Sequence, residues 1–130
     1  MISGPRTQLN WAEGLFVDEQ RGELYVANDA GESVLVFSTD ASGDAAPLRV
    51  LKGPHTLLAY PSSVFVDFKN DELWIANFGN HTATVYNRTA AGDVAPIREI
   101  RSAPTGTPAP ALANARIAYD TKRDQILAPN

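Results

Sequence analysis

The chain has 130 residues, of which 44% are hydrophobic and 20% charged, the proportions of an ordinary globular domain long enough to bury a core. A net charge of −4, with the basic residues spread thinly among acids, argues against a nucleic-acid or anionic-membrane partner. With no cysteine there is no disulfide framework and no thiolate metal site, and the redox compartment stays open.

Taken in chain order, Met1–Trp11 has no apolar stretch that could form the core of a signal peptide. Gly14–Asp18 follows as a nearly unbroken apolar run, which predicts a strand buried on both faces. A turn at 19–22 leads to a second strand, Glu23–Asn28, and a turn at 29–32 leads to a third, Ser33–Ser38. A polar loop from Thr39 to Pro47, bearing Gly, Asp and Pro, precedes a fourth strand, Leu48–Lys52. The longest apolar runs, such as Val34–Phe37, are far shorter than the ~20 residues that span a bilayer, so a soluble chain is expected.

Residues 53–101 then repeat this plan. Laid over 4–52 without a gap, they are identical at 18 of 49 positions. Gly4-Pro5 falls on Gly53-Pro54, Phe16-Val17-Asp18 on Phe65-Val66-Asp67, Ala27-Asn28 on Ala76-Asn77, and Gly43-Asp44 on Gly92-Asp93. The second set of strands is predicted at 63–67, 72–77, 82–87 and 97–101. A third copy begins after a four-residue insertion, with Tyr119–Asn130 in the register of Val17–Asn28, so 102–130 is a partial repeat. Four antiparallel strands per unit of this length, with no helical period, predict an all-β chain of β-propeller blades, about two and a half in number, within a single segment 1–130.

A propeller hides its sheet edges by closing a ring of about four to eight blades, and this chain encodes too few. Its open blade faces and the orphan edge near Gln125–Ala128 therefore predict self-association into a homo-oligomer, the edge pairing with its two-fold copy in one version. A chain cut from a longer gene and a non-ring arrangement are the other outcomes.

The run Phe16-Val17-Asp18, Glu23-Leu24-Tyr25-Val26-Ala27-Asn28 and the valine-rich third strand ending in Phe37 resemble the NHL-type repeat. They are similar, too, to the blades of the gluconolactonase and senescence-marker family and to bacterial repeats with a Gly-Asp-x-Ala-Pro loop. The resemblance implies that the position before each first strand faces the mouth of a central channel. Here Glu13, Ser62 and Ala115 hold it, with Asn114 beside the last, which makes Glu13, Ser62 and Asn114 the candidate binding residues. In the lactonases this ring holds a divalent metal that polarises the lactone carbonyl. Glu13-Gly14-Leu15-Phe16 resembles that family's first ligand segment, whereas Ser62 and Ala115 depart from its pattern. Glu13 is thus a weak metal candidate, read first as a solvated carboxylate of the rim. No cofactor is expected beyond that possible divalent ion.

Other candidates carry plainer readings. Asn28 and Asn77, with Asn130 in register, end the second strand of each unit; as caps of the following turn they are structural, and a polar substrate ring is the functional alternative. Asp44 and Asp93 read as turn formers, since Asp40–Asp44 offers too few oxygens for Ca²⁺. His55 and His81 read as surface or turn residues. The matched pairs Trp11 with Tyr60 and Tyr25 with Trp74 point to core packing rather than a sugar-stacking platform. Asn80-His81-Thr82 and Asn87-Arg88-Thr89 match the glycosylation sequon, a triplet common by chance. No nucleophile elbow, zinc-protease pair or phosphate loop occurs. The residues favour a non-enzymatic repeat module that binds a small molecule or a protein, or assembles, through its loops. A metal-dependent lactonase-like hydrolase, complete only in an assembled ring, is the alternative.

Overall fold

The structure, a computed structural model, describes residues 1–101, 118–120, 122–123 and 125–127. It is all-β: two antiparallel four-stranded sheets and one hairpin, with no α-helix among the described residues. The first sheet runs β1 (Ala12–Asp18), β2 (Glu23–Asn28), β3 (Ser33–Ser38), β4 (Arg49–Lys52) as a simple meander. The second repeats it with β5 (Pro61–Asp67), β6 (Glu72–Asn77), β7 (Thr82–Asn87) and β8 (Arg98–Arg101). Strands β9 (Ala118–Asp120) and β10 (Gln125–Leu127) pair Tyr119 with Ile126, the register in which Val17 faces Leu24. The four middle strands have the predicted limits. The first strands begin two residues earlier than expected, and the fourth begin one later, although Leu48 and Ile97 still donate to the Val36 and Val85 carbonyls at 2.7 Å. In the tight β1–β2 and β5–β6 turns the left-handed residue is Gly22 (φ 65°) in one repeat and Asp71 (φ 56°) in the other.

Period-two alternation gives each sheet two apolar faces. On one face of the first sheet lie the rows Phe16-Tyr25-Val36 and Gly14-Ala27-Val34-Leu51; on the other lie Leu15-Val26-Leu35-Val50 and Val17-Leu24-Phe37. The main core forms where the first of these faces meets Val64, Val66, Leu73, Ile75 and Tyr86 of the second sheet. Those five stand in the repeat positions of Leu15, Val17, Leu24, Val26 and Phe37. The sheets therefore stack by one rule, the front of one repeat against the back of the next. Each fully buried aliphatic side chain in that layer contributes roughly 1.5–3 kcal/mol.

The expectation that the first strand is buried on both faces is met on one face of β5, with Ser63 and Phe65 half-buried on the other, and fails for β1. Leu15 and Val17 are 65% and 52% exposed, whereas their counterparts Val64 and Val66 are 5% and 0% exposed. The residues are equally apolar; what differs is the neighbouring sheet, which β5 has and β1 lacks on that side. Nearer the outer strands the same open face is buried, since Ile2, Leu9 and Ala41 pack against Val26, Leu35 and Phe37. Met1–Ser3 brackets Gly43, donating from Ser3 N and accepting at Met1 O, in the register by which Val50 and Lys52 of β4 bracket Gly92. These three residues thus occupy the place of a preceding fourth strand.

Close approach at the sheet–sheet junction is set by Gly14: a Cβ there would lie 2.7 Å from the Ser62 carbonyl oxygen. Phe16 stacks edge-on against Phe65 with centroids 5.5 Å apart. At the other end a polar clamp crosses the junction. Arg49 holds both Glu23 oxygens at 2.7 and 2.9 Å, Tyr25 Oη donates to Glu23 at 2.6 Å, and Arg88 reaches over from the second sheet to Glu23 and Tyr25 at 3.3 Å. Arg88 also bonds Asp71 at 2.6 Å. The Arg49 hydrogen bond, against an opposing push from burial, pulls the Glu23 carboxyl down to about 2. A carboxyl that titrates near 4.5 in the unfolded chain and near 2 when folded binds more protons unfolded between those values. Its stabilisation is therefore complete above that window and drains away as pH falls through it. Urea unfolding at stepped pH across the window should show stability falling more steeply in the native chain than in Glu23→Gln.

Candidate functional site

The candidate site is the rim from which β1 and β5 start, and its frame is built twice. Each repeat opens with a short 3₁₀ turn, Pro5–Thr7 or Pro54–Thr56, whose preceding glycine has φ near 130°. Asp44 Oδ1 accepts from Arg6 N and Asp93 Oδ1 from His55 N, both at 2.7 Å. Reading these aspartates as turn formers is thus too narrow. Each pins the long loop of its repeat to that repeat's own first turn, and a Cβ on Gly4 or Gly53 would collide with the carboxylate. His55 lies exposed in its turn with Nδ1 2.6 Å from Asp93 Oδ2, and this partner holds the Asp93 carboxyl below its usual range. His81 sits in the β6–β7 turn with φ 57°.

Asn28 and Asn77 are fully buried and reach further than the following turn. Asn28 Oδ1 accepts from Asn10 N at 2.6 Å, and its amide donates to Gln8 O at 3.1 Å and Ser33 Oγ at 2.9 Å. Asn77 Oδ1 accepts from Ala59 N at 3.2 Å, and its amide donates to Thr82 and Thr84 hydroxyls at 3.2 and 2.9 Å. Each asparagine therefore staples the segment before the first strand to the β2–β3 or β6–β7 hairpin. A side chain with both donors and acceptor used in this way suits a buried site.

The residues that follow are the ones sequence reasoning misplaced. Trp11 and Tyr60, expected in the core, are 73% and 50% exposed, while Tyr25 and Trp74 are buried. Both exposed aromatics have left-handed backbones, φ 60° and 47°. Their carbonyls are held by Asp29 N at 2.9 Å and Phe78 N at 3.1 Å. An apolar residue at a matched repeat position looks like core, and the backbone sign that turns it outward is invisible in composition.

Glu13 and Ser62 then fall in β-bulges, where the ladder register shifts between Ala12 and Gly14 and between Pro61 and Ser63. Matched bulges give opposite results: Glu13 is exposed on the rim, and Ser62 is buried with its hydroxyl donating to the Ala76 carbonyl at 3.4 Å. Asn114, Ala115 and Asn130 lie outside the described residues. One exposed carboxylate beside a hydroxyl already engaged with backbone does not fit the multi-oxygen ligand set of a divalent ion. Among the described residues no group of three or more His, Asp or Glu is arranged around a metal position. Of the sequon asparagines, Asn80 donates to the Leu57 carbonyl at 3.4 Å and Asn87 is exposed. No helix among the described residues is long and apolar enough to cross a membrane.

Replacing Asn77 with Ala would remove three hydrogen bonds and leave the Ala59 amide without its side-chain acceptor, for a loss of about 2 kcal/mol in chemical denaturation. Asn77→Asp should be little better, because a carboxylate cannot donate to Thr82 and Thr84.

Comparison with known proteins places the fold. No protein-family model matches the chain, and no curated protein matches it. Thirteen chains of solved structures do match. One is the crystal structure of a Bacteroides fragilis protein named for its inferred export, with a TM-score of 0.52 at 19% identity. The alignment covers 77% of this chain and 27% of that one, so this chain spans about a quarter of that protein's length. At that identity the similarity concerns the all-β fold alone.

Proposed function

We propose that the chain is a β-propeller repeat module whose role is binding or assembly, and that it associates with further sheets of its own kind to cover its open face. One observation carries this reading: Leu15 and Val17 are exposed at positions where Val64 and Val66 are sealed by the preceding sheet. The chain thus contains both halves of an interface, formed once internally and left half-open at β1. The front-to-back rule and the nearness of first strand to first strand support blades stacked around an axis, as in the NHL-type repeats the sequence resembles. Adjacent apolar side chains left in water on a sheet face mark an association surface. The occupant is a second copy, because the face it must match is one this sequence already makes.

Light scattering across micromolar concentrations should return a mass that is a multiple of the single chain. Leu15→Asp with Val17→Asp should restore the single-chain mass with an unchanged circular dichroism spectrum, since neither residue supports the core of the isolated chain. A native protein that stays monomeric throughout that range would refute the assembly reading.

A further inference from the structure

The rim aromatics have no part in the stacking of sheets, yet the fold presents them with care. A bulky residue with φ near 60° is strained, and a flexible loop would relieve the strain by swinging the chain over. Here it is held at both ends in both repeats. The Asn10 and Ala59 amides donate to buried Asn28 and Asn77, and the Trp11 and Tyr60 carbonyls accept from Asp29 and Phe78. Gly31 N and Gly79 N add bonds to the Asn10 and Ala59 carbonyls at 3.2 and 3.0 Å. Tyr60 also lies against Gly79, where a Cβ would meet its ring at 2.6 Å. The outcome is one large aromatic side chain per repeat in open water, at the same end of two adjacent strands.

Polar groups accompany each ring. The β2–β3 turn hung from the Trp11 carbonyl carries Asp29 and Glu32, and Glu13 follows in the bulge. The turn hung from the Tyr60 carbonyl carries Asn80 and His81. Burial, and then the charge of Glu32, raise the Asp29 carboxyl, so this turn is already crowded with negative charge. An anionic or nucleotide ligand is disfavoured beside such carboxylates in a chain of net charge −4. Carboxylates and an amide on the turns that adjoin exposed aromatics suit a neutral polyol: its hydroxyls donate to the oxygens, and its slightly positive C–H face stacks on the negative ring face.

We propose that Trp11 and Tyr60 form a stacking platform for a neutral oligosaccharide, held by Asn28 and Asn77 as positioning residues. The proposal is independent of the assembly reading, because these rings belong to the rim and not to the open sheet face. Cellohexaose and hexa-N-acetylchitohexaose serve as probes, read by tryptophan emission. The protein has two tryptophans; Trp74 is buried, so the long-wavelength emission comes from Trp11. Saturable blue shift with at least one probe is expected, with Trp11→Ala and Tyr60→Ala each weakening binding by about tenfold, read for both by calorimetry. Trp11→Phe should retain most of the affinity, and all three variants should keep the native melting midpoint within a few degrees. The titration is repeated in the Leu15→Asp, Val17→Asp background, where binding should persist whatever the oligomeric state. Absence of any shift up to about 10 millimolar saccharide, well beyond ordinary recognition affinities, would overturn the proposal. So would affinity unaltered in Trp11→Ala, preference for a proline-rich peptide over both sugars, or emission that follows protein concentration alone and loses that dependence in the double variant.

Discussion

The structure depends on one contact: the apolar front of a four-stranded sheet pressed on the apolar back of the next. Neither sheet could stand by itself in water, because alternation makes both of its faces apolar and an isolated meander hides neither. Stacking removes Tyr25, Ala27, Val34, Val36 and Leu51 from solvent on one side, and Val64, Val66, Leu73, Ile75 and Tyr86 on the other. The close spacing needs a residue without a side chain at the contact of first strands, and Gly14 provides it.

The same constraint explains where the two repeats diverge. Arg88 can clamp Glu23 because the second sheet lies against the first, and its counterpart in the first repeat is Thr39, which has no such neighbour to reach. Met1–Ser3 supplies the outer part of a missing sheet by bracketing Gly43, and Ile2 covers Phe37 much as Leu51 joins the main core. Among the described residues of that face, only those near β1 are left bare. Equivalent residues thus differ in environment by their place in the stack, not by their chemistry.

A second system of interactions, polar and local, shapes the rim. Asp44 and Asp93 tie loop to turn, Asn28 and Asn77 tie turn to hairpin, and together they fix the backbone just ahead of each first strand. Rigid placement of exposed side chains by buried hydrogen-bonding partners lowers the entropy lost on binding. The rim is thus set by polar side chains held in place, while the sheets behind it are set by apolar packing.

Much of this was legible in the residues. Strand alternation, turn chemistry and an ungapped repeat at 18 of 49 positions located β2, β3, β6 and β7 to the residue, because their signals are local and hydrogen bonding to both neighbours leaves little freedom at their ends. The structural role of Asn28 and Asn77 was readable from recurrence, though not their reach across eighteen residues to Asn10 and Ala59. The exposure of Trp11 and Tyr60, the burial of Ser62 against the exposure of Glu13, and the bareness of Leu15 and Val17 were decided only in three dimensions. Hydrophobicity belongs to a residue and its period to a segment, so a sequence carries both. Burial belongs to a pair of surfaces, and the sign of a backbone angle to the bonds that hold it, and neither exists until the sheets have met.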